Sequence, residues 1–423
     1  MHLVHRRTCR ICGSSALTPV IDLGPQHLQG SFVKPGEAAP PERRIHCTLV
    51  RCDPTIDEKA CGLLQMAHSV PPELLYSVYW YRSGTNQTMR DHLAGIAAEV
   101  VATIDRPDAT VLDIGCNDGT MLARYPDSYN KVGVDPSDVS DEARVYGKIF
   151  KDLFPSLELT RDLGPHSCDA ITSIAMFYDL EDPARFCREI TNLLKPDGCW
   201  IFEMSYMPLM LEMNSYDTIC HEHLEYYSLA VIERLLDASG LKLFRVALNT
   251  INGGSLRCYA TPKGNFRFRR VQWQQEIGSM RIREFDLALD TNSPYRSFQD
   301  RINVHRDELL SLLKNYRAAG KRIHLYGAST KGNTILQWCG INGGLIEAAS
   351  DRNPHKHGAK TLGTNIPIVS EEASRSMKPD YYLVLPWHFK DEFLAREAAM
   401  LDAGVGFIFP LPRVEVITRQ EKG

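Results

Sequence analysis

The chain has 423 residues, 43% hydrophobic and 24% charged, an ordinary globular composition spread over a length too great for one core. A formal net charge of −4 offers no basic field for nucleic acid or an acidic membrane surface, and no apolar run is long enough to span a bilayer. The opening Met1-His-Leu-Val-His-Arg-Arg lacks the apolar segment of a secretory leader, so a cytoplasmic protein with reduced cysteines is expected.

In such a protein, regular cysteine spacing points to metal. Cys9-Arg-Ile-Cys12-Gly is a knuckle whose two thiolates can hold one side of a tetrahedral zinc, with Cys52 and Cys61 expected on the other side. Eight residues separate that second pair and read as an insertion in the knuckle tip; Cys47 is the alternative fourth ligand. Without a basic excess the zinc is expected to staple the fold. Next comes an aromatic cluster, Tyr76, Tyr79, Trp80 and Tyr81, which is either a ligand lid or a packing seam between domains. Thr88–Thr103 repeats apolar residues at Met89, Leu93, Ile96, Ala97, Val100 and Val101, the spacing of a half-buried helix.

The chain is organised around Val111-Leu-Asp-Ile-Gly-Cys-Asn-Asp-Gly-Thr120. A short apolar strand is cut off by Gly115 and Gly119, and a helix can start at Thr120. The pattern lacks G-x-G-x-x-G and so predicts no pyrophosphate cradle. A second strand, Lys131–Asp135, ends in an acid able to accept from ribose hydroxyls. Further strands are expected at Lys148–Phe150, Asp169–Ile174 and Cys199–Glu203, the last after a Lys195-Pro-Asp-Gly198 turn that follows a helix opened by Pro183. Leu241–Ala247 and Leu256–Thr261, joined through Asn252-Gly-Gly254, read as a reversed pair closing the sheet. This order of elements, with D-x-G-C-x-x-G and an acid-ending strand, resembles the S-adenosylmethionine (AdoMet) site of class I methyltransferases. That resemblance implies a cofactor site drawn from Tyr81, Met89, Gly115, Cys116, Asn117, Gly119, Asp135, Pro136, Asp152 and Ile174.

The insertion after the fifth strand holds Cys220-His-Glu-His-Leu-Glu225. Its histidines are two apart, so it is not the H-E-x-x-H of zinc hydrolases. A His beside a Glu, on the face where ligands sit, is a proton acceptor whose ring the carboxylate can orient. Residues 263–320 are charged and read as two connecting helices around Thr291-Asn-Ser-Pro294; Arg267, Arg269 and Arg270 form a solvated face or meet phosphates. A second α/β unit then begins with a strand at Arg322–Tyr326, a loop Gly327–Asn333, a helix at Thr334–Cys339, and strands at Ile346–Ser350, Tyr381–Leu385 and Val405–Phe409. Tyr326, Ser329, Lys331 and Asn333 are placed to cradle a phosphate, unless the unit is purely structural or dimerising.

Cys9-x-x-Cys-Gly, Tyr79-x-Tyr81-x-Ser-Gly, Ile114–Gly119, Glu222-His223 and Tyr326-Gly-Ala-x-x-Lys331, in that order over nearly the whole chain, resemble the bacterial nucleotide-sugar C-methyltransferases. The resemblance implies an α/β protein: a zinc-binding domain (1–70), a class I AdoMet methyltransferase core (71–262), and a C-terminal Rossmann-like domain (263–423, its first part the helical connector) that helps hold a nucleotide-diphosphate sugar. It implies that His223 takes a proton from the carbon beside a ketone, with Glu222, Tyr79 and Asp179 around the reacting sugar, and that no metal serves this step. Asp179 and Cys220 stand where some members carry His and Tyr. A monomer or homodimer is expected. Two other readings remain open: an AdoMet enzyme methylating oxygen or nitrogen of another metabolite, and a zinc-ribbon scaffold with a vestigial methyltransferase fold.

Overall fold

A computed structural model describes residues 3–37, 44–71, 75 and 81–419. Near the N-terminus, β1 (Leu17–Gln26), β2 (Ile45–Cys52) and β3 (Leu64–Met66) form an antiparallel sheet. Helix α1 (Gln87–Ile104) starts where the Asn86 side chain accepts from Thr88 N, and buries Met89, Leu93, Ile96, Ala97, Val100 and Ile104 on one face.

The core sheet follows, with β4 (Thr110–Ile114), β5 (Asn130–Val134), β6 (Lys148–Phe150), β7 (Cys168–Ile174) and β8 (Leu194–Ser205) all parallel. The next strand, β9 (Glu225–Tyr226), leaves this sheet and pairs with β3, making the order of the N-terminal sheet β9-β3-β2-β1. Strands β10 (Leu241–Asn249) and β11 (Ser255–Pro262) then close the core antiparallel, giving the order β10-β11-β8-β7-β4-β5-β6. Parallel strands buried on both faces need near-continuous apolar sequence. Leu112 and Ile114 of β4 face one apolar cluster and Val111 faces the other.

Helices α2 (Val271–Asp286) and α3 (Ser293–Ala318) lead to the last sheet. There β12 (Ile323–Tyr326), β13 (Ala348–Ser350), β14 (Ile368–Val369), β15 (Tyr381–Val384), β16 (Gly406–Phe409) and β17 (Glu415–Ile417) order as β14-β13-β12-β15-β16-β17, parallel except for β17. Tyr295, Phe298, Ile302, Leu309 and Leu313 of α3 share one apolar cluster with Ile21, Leu23 and Leu49 of the N-terminal sheet and Leu325, Leu383 and Ile408 of the last one. The N-terminal sheet is thereby seated on the C-terminal half, and Phe32–Val33 pairs directly with Lys360–Thr361. No helix among the described residues is long and apolar enough to cross a membrane.

Three local expectations are corrected. The helix expected from Thr120 is a single 3₁₀ turn, Leu122–Arg124, because Pro126 and the strand at Asn130 follow too soon for more. Lys195–Gly198 lies inside β8 as a register shift, its neighbours pairing Cys168 with Leu194 and then Ala170 with Cys199. The helix after β12 starts at Thr330, not Thr334, since Ser329 caps it by accepting from Gly332 N at 3.0 Å.

Candidate active site

At the carboxyl end of β4 the backbone turns left-handed at Gly115 (φ 75°), Asn117 (φ 49°) and Gly119 (φ 78°). A Cβ on Gly119 would lie 2.8 Å from Ala143 Cβ and 2.9 Å from its Cα, so only glycine fits there. Asp135, just beyond β5, locks this loop: its Oδ2 accepts from Asn117 N at 3.0 Å, its Oδ1 from Ser137 N at 2.8 Å and Ser137 Oγ at 2.6 Å. Asn117 in turn holds residues 81–83 by accepting from Ser83 N (2.9 Å) and donating to the Tyr81 carbonyl (3.2 Å). Half-buried Ile174 ends β7; Pro136 and Asp152 lie exposed beyond β5 and β6. Met89 is buried on α1, and Cys116 packs against Gly133, where an added Cβ would lie 2.8 Å from its sulfur.

This crevice fits AdoMet. It offers left-handed backbone for close approach and a buried carboxylate with one of its roughly four acceptor sites unused. Asp135→Asn would turn an N–H toward the loop's own donors. A lost hydrogen bond to a charged acceptor costs about 1.5–3 kcal/mol, so AdoMet affinity is expected to fall roughly 10- to 100-fold by calorimetry.

The second feature is a polar cluster where the insertion after β8 meets the segments that follow β12 and β15. His223, 8% exposed, packs against the Tyr178 ring at 4.3 Å between centroids. Its Nδ1 lies 2.7 Å from the Thr218 carbonyl, which can only accept, so Nδ1 carries the proton and Nε2 the lone pair. Burial, then the charge of Lys331, pushes the imidazole down to about 3, which keeps it neutral. Lys331 Nζ donates to the Asn252 carbonyl at 3.0 Å, and burial lowers it against the pull of Asp217 and Cys220. Asp217, raised by burial, accepts the Trp387 indole N–H at 2.9 Å. His388, beyond β15, is pushed down to about 3 by burial and by Lys331, and its Nδ1 is buried without a hydrogen-bond partner.

The sequence expectation that Glu222 orients the base is not what the chain does. Adjacent side chains diverge, and the Glu222 carboxyl lies against Gly30, where an added Cβ would sit 2.3 Å from Oε1 and 3.3 Å from Thr330 Oγ1. Burial pushes Glu222 up to about 7. Asp179 is raised well above the usual range by burial, then by Glu222 and Glu225, and its Oδ1 is buried and unbonded. Gly30→Ala is expected to displace the flexible end of Glu222. Thermal stability should then change by under about 1 kcal/mol, whereas kcat falls about tenfold in steady-state kinetics.

Of the four C-terminal candidates, Lys331 alone acts on His223. Tyr326 Oη lies 2.8 Å from both Glu371 and Glu397, Ser329 caps its own helix, and Asn333 donates to the Gln29 carbonyl at 2.6 Å. Tyr81 is exposed, and Tyr76, Tyr79 and Trp80 lie outside the described residues. The sequence does not mark Gly30, Asp217 or His388 as site residues. His388 has a signal, the end of a parallel strand; Gly30 has none.

The Sγ atoms of Cys9, Cys12, Cys52 and Cys61 lie within 4.8 Å of one another, with Cys9–Cys61 at 3.5 Å and Cys12–Cys52 at 3.4 Å. A Zn–S tetrahedron has edges of about 3.8 Å, so the four thiolates suit a structural zinc. Asp53 organises the long excursion between Cys52 and Cys61, accepting from Thr55 N and Oγ1 and from Thr18 Oγ1. Cys47 is elsewhere, 3.4 Å from His221 Nε2 and taking the Gln29 amide at 3.3 Å.

Three family models match in succession: a putative zinc binding domain over residues 9–76, a methyltransferase domain over 81–246 and a C-methyltransferase C-terminal domain over 250–412. The chain is 27% identical over 420 residues to the C-methyltransferase NovU of Streptomyces niveus, covering 97% of each. It is 32% identical over 133 residues to the ubiquinone biosynthesis O-methyltransferase of Neisseria meningitidis serogroup C, covering 29% of this chain and 56% of that one. Among solved structures, the magnesium protoporphyrin IX methyltransferase of Synechocystis PCC 6803 with bound SAM matches at 16% identity and TM-score 0.32, covering 41% of this chain and 79% of that one. The three family models tile the chain in the order of the cysteine knuckle, the AdoMet crevice and the last sheet, and NovU runs alongside from end to end: the chain is an AdoMet-dependent methyltransferase with the three-domain architecture that these models describe.

Proposed function

We propose that the enzyme methylates a carbon beside the ketone of a nucleotide-diphosphate-linked keto-deoxysugar. The single observation that carries this is His223 itself: a neutral imidazole, its Nδ1 proton spent on Thr218, its Nε2 free as a base, with Lys331 near enough to act on it electrostatically. His223 removes the proton from the carbon, the C–H electrons pass to the carbonyl oxygen, and the enolate carbon attacks. AdoMet, once bound, would supply the methyl group to that carbon and be left as S-adenosylhomocysteine. In this reading the Lys331 ammonium balances negative charge on the enolate oxygen or on the diphosphate. Kinship with a C-methyltransferase over 97% of the chain supports carbon as the acceptor.

The division into 1–70, 71–262 and 263–423 goes with this reading, with the nucleotide on the last unit. So does a cytoplasmic monomer or homodimer with no nucleic-acid partner. Tyr79 near the sugar, and Asp179 and Glu222 as the carboxyls around it, complete the proposed site.

The test is mass spectrometry with methyl-labelled AdoMet and a panel of nucleotide-linked 4-keto-6-deoxysugars, beside a run in heavy water without AdoMet. Label and solvent deuterium on the same sugar carbon are expected. Label only on oxygen or nitrogen of another metabolite would overturn the reaction and leave the cofactor.

A further inference from the structure

The geometry points to Arg10, inside the zinc knuckle, as a positioning residue for the catalytic loop, setting His223 through Glu225 and the Tyr178 carbonyl. This rests on His223 being the base. Arg10 stands between two zinc ligands, yet its side chain turns inward and is wholly buried. Its Nη1 donates to the Met66 carbonyl at 2.8 Å and to Gln65 Oε1 at 3.2 Å, and its Nη2 to Ser69 Oγ at 2.8 Å. Its Nε faces Glu225 Oε1 and Glu181 Oε2, each at 3.6 Å.

From there two short routes reach the base. Glu225 Oε2 accepts from Leu180 N at 3.3 Å, and the Glu225 and Leu224 amides both donate to the Tyr178 carbonyl, at 3.0 and 2.7 Å. Tyr178 carries its ring against His223. By the other route Met66, whose carbonyl Arg10 holds, donates its own N–H to the Leu224 carbonyl at 2.8 Å, one residue past the base. A tetrathiolate knuckle needs no guanidinium, and a buried charge is costly unless its partners repay it. The partners here are the strand and loop that bracket His223. Arg10 touches no reacting group, so it acts by holding that bracket still.

Arg10→Met keeps the stem and all four cysteines. Zinc content is expected to stay at one equivalent and AdoMet affinity within about twofold of wild type, while kcat falls at least about tenfold, the order expected when a catalytic group is misplaced. Histidine-labelled NMR should show the His223 ring resonances displaced. Glu225→Gln should give the same loss, and the double variant should be no worse than the poorer single one. Arg6→Gln, which removes only a partly exposed contact to Glu181 at 3.4 Å, should behave as wild type.

Native kcat in Arg10→Met, or losses that multiply in the double variant, would overturn the inference. If Arg10→Met does not fold, native kcat in Glu225→Gln overturns it alone. The His223 resonances need no substrate: unmoved in Arg10→Met, they sink the inference even where the proposed reaction has failed.

Discussion

His223→Ala is expected to lower kcat about 10²- to 10⁴-fold, the contribution of a well-placed general base, with AdoMet binding unchanged. The separation follows from the layout. The residues proposed for AdoMet lie mostly on the loops after β4 and β5, whereas His223 sits in the insertion between β8 and β10, against Tyr178. Deuterium exchange at the sugar carbon should be lost together with methylation, since both begin with the same proton. Retained exchange in the alanine variant would assign the base elsewhere, with Asp179 or His388 next to be replaced. The acid side of the pH profile is a further check. Burial and Lys331 hold the free imidazole near 3, so it is already in its basic form throughout neutral pH. Lys331→Met removes a like charge and should move the midpoint of His223, followed by NMR, upward toward the ordinary histidine range. A downward or absent shift would place Lys331 out of electrostatic reach of the base.

What the sequence shows and what it hides divide along the range of the forces involved. The strand–loop at Val111–Gly119 is legible because apolar run, glycines and acid-ending strand are all local, and left-handed φ at Gly115 and Gly119 is written in the residue type. The antiparallel β10–β11 pair is legible for the same reason, through Asn252-Gly-Gly254. The Thr120 helix misled because a good start says nothing of how soon the next strand must begin. Contacts between distant segments left no local mark. Two residues, Glu225–Tyr226, complete a sheet by pairing with a strand about 160 residues earlier, and Gly30 matters only because Glu222 is folded against it. His223, the proposed base, was legible as a residue type on a ligand-bearing face. Its orienting partner was not, since a backbone carbonyl at Thr218 looks like every other carbonyl in the sequence.

Removing the zinc, by chelation or by Cys61→Ser, is expected to unfold much more than the knuckle. The four thiolates join the turn at residues 9–12 to the end of β2, and β2 carries β3, which carries β9. A structural zinc site contributes folding free energy directly. For a unit of this size each kcal/mol lost lowers Tm by roughly 4–8 °C. Hydrogen exchange is the sharper readout, because the loss should be local and shared. Amides of β2, β3 and residues 224–227 should lose protection together, while β4, β5 and β7 keep theirs and AdoMet still binds. Methylation should fail at the same zinc occupancy at which 224–227 loses protection. A metal-free protein that keeps β9 protected would show that the shared apolar cluster under α3, not the metal, holds the catalytic loop in place.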